Sequence, residues 1–214
     1  RLIPTHRAIT APRFCSLFRE ELDRLPSTRD RKAVPCFLRL TIKIESIFPI
    51  LDAVTACDVP EKFYFSAKDN LFILGGLGSA LTLEASDAES LLAGFRDVWK
   101  ADETVPVFGG FSFFADGDPA HEWKCFGRYR FTLPFVEIGR SSNGFFAAVN
   151  YVNKAKLPLA SACQEITEGL QSLDSRFRSF QNIFKPSGLS AELIPDRSHW
   201  NSMIKKALHS ISED

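Results

Sequence analysis

The 214-residue sequence lacks most of the features that announce a particular chemistry. Its five cysteines, Cys15, Cys36, Cys57, Cys125 and Cys163, are odd in number and scattered singly. With no CxxC pair they argue against a disulfide framework and against a zinc site, and they fit a reducing cytosol. Charge of one sign is missing too. Lys plus Arg and Asp plus Glu stand at 26 each, so no overall field draws in nucleic acid or an acidic membrane, and neither is expected as a partner. No apolar run approaches the roughly 18 to 20 residues a membrane span needs, and the opening residues carry no apolar stretch like a signal peptide. The expected location is the cytoplasm.

Catalytic signatures are equally scarce. No GxSxG elbow is present, and no cysteine sits in a recognisable nucleophile context. His121-Glu122 lacks the second histidine of an HExxH zinc helix, and Asp116-Gly117-Asp118 lacks the later glycine and glutamate of a calcium loop. Gly75-Gly76-Leu77-Gly78 fits neither GxGxxG nor GxxxxGK[ST] and reads as a tight strand exit with positive φ. No catalytic, cofactor-binding or metal-ligating residue is assigned from the sequence. Both ends, Arg1 and Asp214, are expected to be cuts, since the chain opens without methionine and closes directly after a helical pattern.

What is present is a core-former's pattern, 45% hydrophobic with 20 phenylalanines. Phe14, Leu17, Phe18, Leu22 and Leu25 recur at helical spacing up to Pro26. Leu38, Leu40, Ile42 and Ile44 alternate with Arg39, Thr41, Lys43 and Glu45 as in a half-buried strand. A short helix over 49–57 precedes a hairpin of Lys62–Ser66 and 71–75 turning at Lys68-Asp69-Asn70. Ser86 and Glu89 form a capping-box pattern ahead of Leu91, Leu92, Phe95, Val98 and Trp99. Strands are expected over 105–114, 131–138 and 145–152, the last two flanking the turn pair Asn143-Gly144. A helix spans 159–180, a linker 186–195, and a final amphipathic helix carries Trp200, Ile204, Ala207, Leu208 and Ile211, capped by Asp196 or Ser198. The fold class is α+β, a mainly antiparallel sheet with flanking helices. Its packed faces are expected to hold Leu38, Leu40, Ile42, Ile44, Phe108, Phe111, Phe113, Leu133 and Phe135.

The order of several segments carries a resemblance. Phe63-Tyr64-Phe65 leads to Gly76-Leu77-Gly78, then a helix, then Val107-Phe108-Gly109-Gly110-Phe111-Ser112-Phe113. Trp123, Phe126 and Gly127 follow, and after them Arg130-Phe131-Thr132-Leu133-Pro134, similar to an "FxLP" strand. Trp200 to Ile211 is similar to a "W...V..AL..I" helix. Jointly these resemble the amino-terminal region of menaquinone-type isochorismate synthases, within the chorismate-utilising enzymes that include anthranilate and aminodeoxychorismate synthases. No "LLES"-like tryptophan-binding motif stands near the first strand, which disfavours anthranilate synthase.

The resemblance implies the amino-terminal part of a four-layer α/β/β/α sandwich, with residues 1–185 as an α+β domain and 186–214 as a linker and helix leading into a chorismate-binding core. It implies a whole enzyme that isomerises chorismate to isochorismate with Mg2+, using a lysine base, a glutamic acid and metal-holding glutamates that all lie downstream of Asp214. This chain alone is then expected to bind no cofactor and to be inactive. Its expected partner is the carboxy-terminal half, with self-association through exposed apolar surface as a further expectation. Isochorismate supply for a siderophore or salicylate, and a stand-alone interaction module without catalysis, are the alternatives.

Overall fold

The computed structural model describes residues 3–4, 14–25, 36–44, 49–68, 71–112, 127–177 and 196–212. The chain divides into two compact units, residues 1–181 and 182–214. In the first, the elements are β1 (Ile3–Pro4), α1 (Phe14–Asp23), β2 (Phe37–Ile44), α2 (Ile50–Ala56), β3 (Lys62–Ser66), β4 (Ile73–Leu77), β5 (Leu81–Ala85), α3 (Ala88–Ala101), β6 (Phe108–Phe111), β7 (Tyr129–Leu133), β8 (Val136–Ser141), β9 (Gly144–Val152) and α4 (Leu159–Ser175). The second holds α5 (Arg197–Ser212).

Two sheets result: a six-stranded one ordered β1-β2-β9-β8-β4-β3 and a three-stranded one ordered β5-β7-β6. Every described pairing is antiparallel except β1 with β2. The expected α+β class holds, with the strands in two sheets. Period-2 alternation of β2 puts Ile42 and Ile44 into the core, where they meet Val136, Ile138, Ala147 and Val149 of the neighbouring strands. Helices α1, α2 and α4 cover that face, contributing Phe18, Val54, Ile166 and Leu170. Burying each such side chain is worth about 1.5–3 kcal/mol. A second core gathers Leu91, Phe95 and Val98 of α3 against Leu81 and Leu133, with Phe37 of β2 joining them.

Local chemistry sets the boundaries. The first two amides of α1 have no intrahelical acceptor, and the Asp174 carboxylate at the end of α4 takes both: Phe14 N at 2.7 Å and Cys15 N at 2.9 Å. Asp87 caps α3, accepting from Ser90 N at 2.7 Å. This replaces the expected Ser86–Glu89 box, because Ser86 spends its hydroxyl on Asp87 itself. Asp196 caps α5 through His199 N at 2.8 Å. Gly144 turns the β8–β9 hairpin at φ 100°.

Further expectations are corrected. The run 131–138 is two strands, β7 and β8, in different sheets; Pro134 offers no N–H to a ladder and the chain crosses there. β5, unanticipated, is a five-residue edge strand whose apolar side is only Leu81, Leu83 and Ala85. Phe111 is 61% exposed, against the expected burial. It closes the edge strand β6 and stacks on Tyr129, while α3 packs chiefly on β5 at the opposite edge. Leu92, at 57% exposed, likewise lies off the buried stripe of α3. Leu38, Leu40, Phe108 and Phe135 are partly buried, and Leu133 is fully so. Helix α4 ends at Ser175. Phe113, the 186–195 linker, Asp116–Asp118 and His121-Glu122 lie outside the described residues.

Candidate functional site

The motifs weighed in the sequence resolve into structure. Gly78 leaves β4 at φ 64°, the positive-φ exit expected of it. A Cβ on Gly75 would come within 2.6 Å of Val54 Cγ2, so that glycine exists to let α2 lie close on β4. Cys57 is wholly buried, and desolvation pushes its thiol up to about 11, leaving it unreactive at neutral pH.

The described residues do gather one polar cluster, which sequence reasoning missed. Arg39 on β2 stands opposite Asn150 on β9, and Glu137 on β8 stands opposite Ala148, so all three side chains share the sheet face turned away from α1, α2 and α4. The Arg39 guanidinium grips Glu137 bidentately, Nη1 to Oε1 at 2.7 Å and Nη2 to Oε2 at 2.9 Å, and Nη1 also donates to Asn150 Oδ1 at 2.8 Å. Asn150 Nδ2 donates to Glu137 Oε1 and to the Pro134 carbonyl. Glu137 and Asn150 are both 0% exposed. The signal was present: Glu137 and Asn150 are lone polar residues inside the apolar runs FVEIG and AAVNYV. Arg39, however, reads as part of a solvated alternation.

Arg39 also forms the inner wall of an open cleft of about 580 Å³ lined by Phe37, Trp99, Asp102 and Thr104. Its Nε lies 3.6 Å from Asp102 Oδ2. Burial would raise the Asp102 carboxyl, but hydrogen bonds from the Thr104 side chain and amide and the Arg39 charge outweigh it, holding the group below its ordinary value. Within the cluster each charge is answered, Arg39 meeting both Glu137 and Asp102. Both Glu137 oxygens are spent on Arg39 and Asn150, so the carboxylate has no reach to a substrate proton, which a general acid or base requires. The same saturation tests magnesium: among the described residues no group of three His, Cys, Asp or Glu side chains is placed to hold a metal ion, and this donor set does not fit one.

Residues 22–214 match the chorismate binding enzyme family. The chain belongs to that family. This chorismate-binding family member is 29% identical over 150 residues to the chloroplastic isochorismate synthase of Catharanthus roseus, an alignment covering 66% of this chain and 26% of that protein. Its fold is similar to that of MenF, the menaquinone-specific isochorismate synthase of Escherichia coli, with a TM-score of 0.57 at 14% identity over 94% of this chain and 42% of that one. The family member in hand therefore spans less than half the length of either relative. No described helix in it is long and apolar enough to cross a membrane.

Proposed function

We propose that this chain is the amino-terminal scaffold of an isochorismate synthase, and that the whole enzyme converts chorismate to isochorismate for menaquinone synthesis on groups outside residues 1–214. The observation that carries the reading is the 150-residue alignment with an isochorismate synthase. The likeness in fold to MenF agrees with it. Magnesium, when bound in the whole enzyme, supplies positive charge to hold the carboxylated substrate; none of the donors described here is assigned to it. What these residues contribute is architecture. The sheets and their helices make a core, and α5 presents Trp200, Met203, Ile204, Leu208 and Ile211, each more than 40% exposed, as an apolar stripe suited to packing against further polypeptide of the same enzyme.

The test is an assay of purified 1–214 with chorismate and magnesium, alone and after addition of the downstream half, following isochorismate by chromatography. Turnover only on mixing is the expected result. Turnover by 1–214 alone would overturn the scaffold reading, and no turnover in a mixture that forms a stable complex would overturn the assignment to isochorismate synthesis.

A further inference from the structure

The Arg39–Glu137–Asn150 cluster sits where the chain changes sheets. Between β4 and β5 it leaves the six-stranded sheet through Gly78 to Ala80, and between β7 and β8 it returns through Pro134 and Phe135. The two transfers run side by side, joined by Ala80 N to Leu133 O at 2.9 Å and Phe135 N to Gly78 O at 3.3 Å. Asn150 clamps the return from the other side, its backbone N donating to Phe135 O at 2.8 Å and its Nδ2 to Pro134 O at 2.9 Å. Glu137 follows Pro134 by three residues and locks onto Arg39 two strands away.

We infer that Arg39, Glu137 and Asn150 form a register key that fixes where the chain enters β8, with Asp102 tying the end of α3 to the same point. The apolar pattern of β8 cannot do this. Val136 and Ile138 are both aliphatic and both face the helix-covered core, so a slip of two residues that brings Val136 to the place of Ile138 and Pro134 to that of Val136 keeps apolar side chains inward and leaves the alternation satisfied. The polar face does discriminate. The same slip carries Glu137 about 7 Å along the strand. Phe135 would then occupy its place, leaving the largely buried Arg39 guanidinium and the buried Asn150 amide without their carboxylate acceptor. An unpaired buried charge is penalised far more than a satisfied pair is rewarded, so the cluster acts by excluding wrong pairings. Arg39 Nε then extends the constraint to Asp102 at the C-terminus of α3, whose backbone N still closes the helix on Val98 O at 3.0 Å.

The experiment compares Arg39→Met, Glu137→Leu and the double variant by thermal melting and by residue-resolved amide exchange on the 1–214 chain. Arg39→Met strands the buried Glu137 carboxylate, Glu137→Leu takes from Arg39 its bidentate partner and leaves it Asn150 and Asp102, and each should lower the melting temperature. The double change removes both charges together and should recover most of that loss. A cluster that merely adds stability predicts nothing more. A register key predicts that in the recovered double variant the Phe135 and Asn150 amides exchange faster by about tenfold or more, while those of Ile42 and Phe95 do not change. Wild-type exchange at Phe135 and Asn150 in the double variant would overturn the inference. If no leucine variant folds, Glu137→Gln decides it: that side chain keeps the shape but turns an amide toward Arg39, and faster exchange at the same two amides supports the key, whereas unchanged exchange overturns it.

Discussion

Helices α3 and α5 look alike on paper and behave differently in the fold. Each carries apolar residues at three- and four-residue spacing, and each has an aspartate cap. In α3 the stripe Leu91, Phe95 and Val98 is buried against the three-stranded sheet and Phe37. In α5 the corresponding stripe stays exposed, up to 74% at Ile211. Periodicity says which face of a helix is apolar; it does not say what covers that face. A covered stripe stabilises the chain it belongs to, and an uncovered one is surface that a second body of polypeptide can claim.

The comparison makes its largest prediction at Phe95, which is 0% exposed. Phe95→Ala should cost about 3–5 kcal/mol in chemical denaturation of 1–214. A loss below about 1 kcal/mol would mean that α3 is no better covered than α5.

Next in size is the cap that α4 lends to α1. Replacing Asp174 by alanine strips the acceptor from the Phe14 and Cys15 amides and should cost about 1–2 kcal/mol, read by the same denaturation. An unchanged midpoint would show that water replaces the carboxylate without loss.

A smaller effect belongs to Asp87, whose pKa is lowered from 3.8 by the Ser90 amide first, then by the Ser90 and Ser86 hydroxyls. Because the folded value lies below the unfolded one, its contribution is complete above the ordinary carboxylate value and is lost as pH falls through the folded value. Melting curves of Asp87→Ala and wild type should therefore lie apart at neutral pH and converge on acidification, and a gap that persists or widens in acid would refute the cap.

The smallest effect is expected on α5. Leu208→Ser with Ile211→Ser should change the stability of residues 1–181 by less than about 0.5 kcal/mol. The same pair should weaken association with the downstream half in a titration of one piece into the other. A large loss of stability in 1–214 alone would show that the α5 stripe is already covered, as would a shift from dimer to monomer in sedimentation.

Local signals in the sequence proved good guides to elements whose partners lie nearby. β2, α2, the β3–β4 hairpin, α3 and β9 after the Asn143-Gly144 turn fall within a residue or two of their expected places, because alternation, caps and turn chemistry are properties of short windows. Reading failed where a window contained a change of environment. Phe131 to Ile138 reads as one apolar-rich strand, yet Leu133 belongs to one core and Val136 to the other. Phe111 was assigned to a packed face because aromatic strands usually are packed, and edge position overrode that tendency.

By itself, then, the sequence determined the α+β class, the apolar face of each helix, the positive-φ exit at Gly78 and the order of segments that led to the family. Those depend on side-chain type and spacing within a few residues. Only the tertiary structure decided that β2 pairs with β9 across more than a hundred residues, that the strands part into two sheets at Pro134, and that Arg39 leaves its solvated-looking alternation to neutralise Glu137 beside Asn150. Those outcomes depend on which distant groups are brought together. A buried carboxylate is tolerable only when a partner from another strand arrives to meet it, and no local window contains that partner.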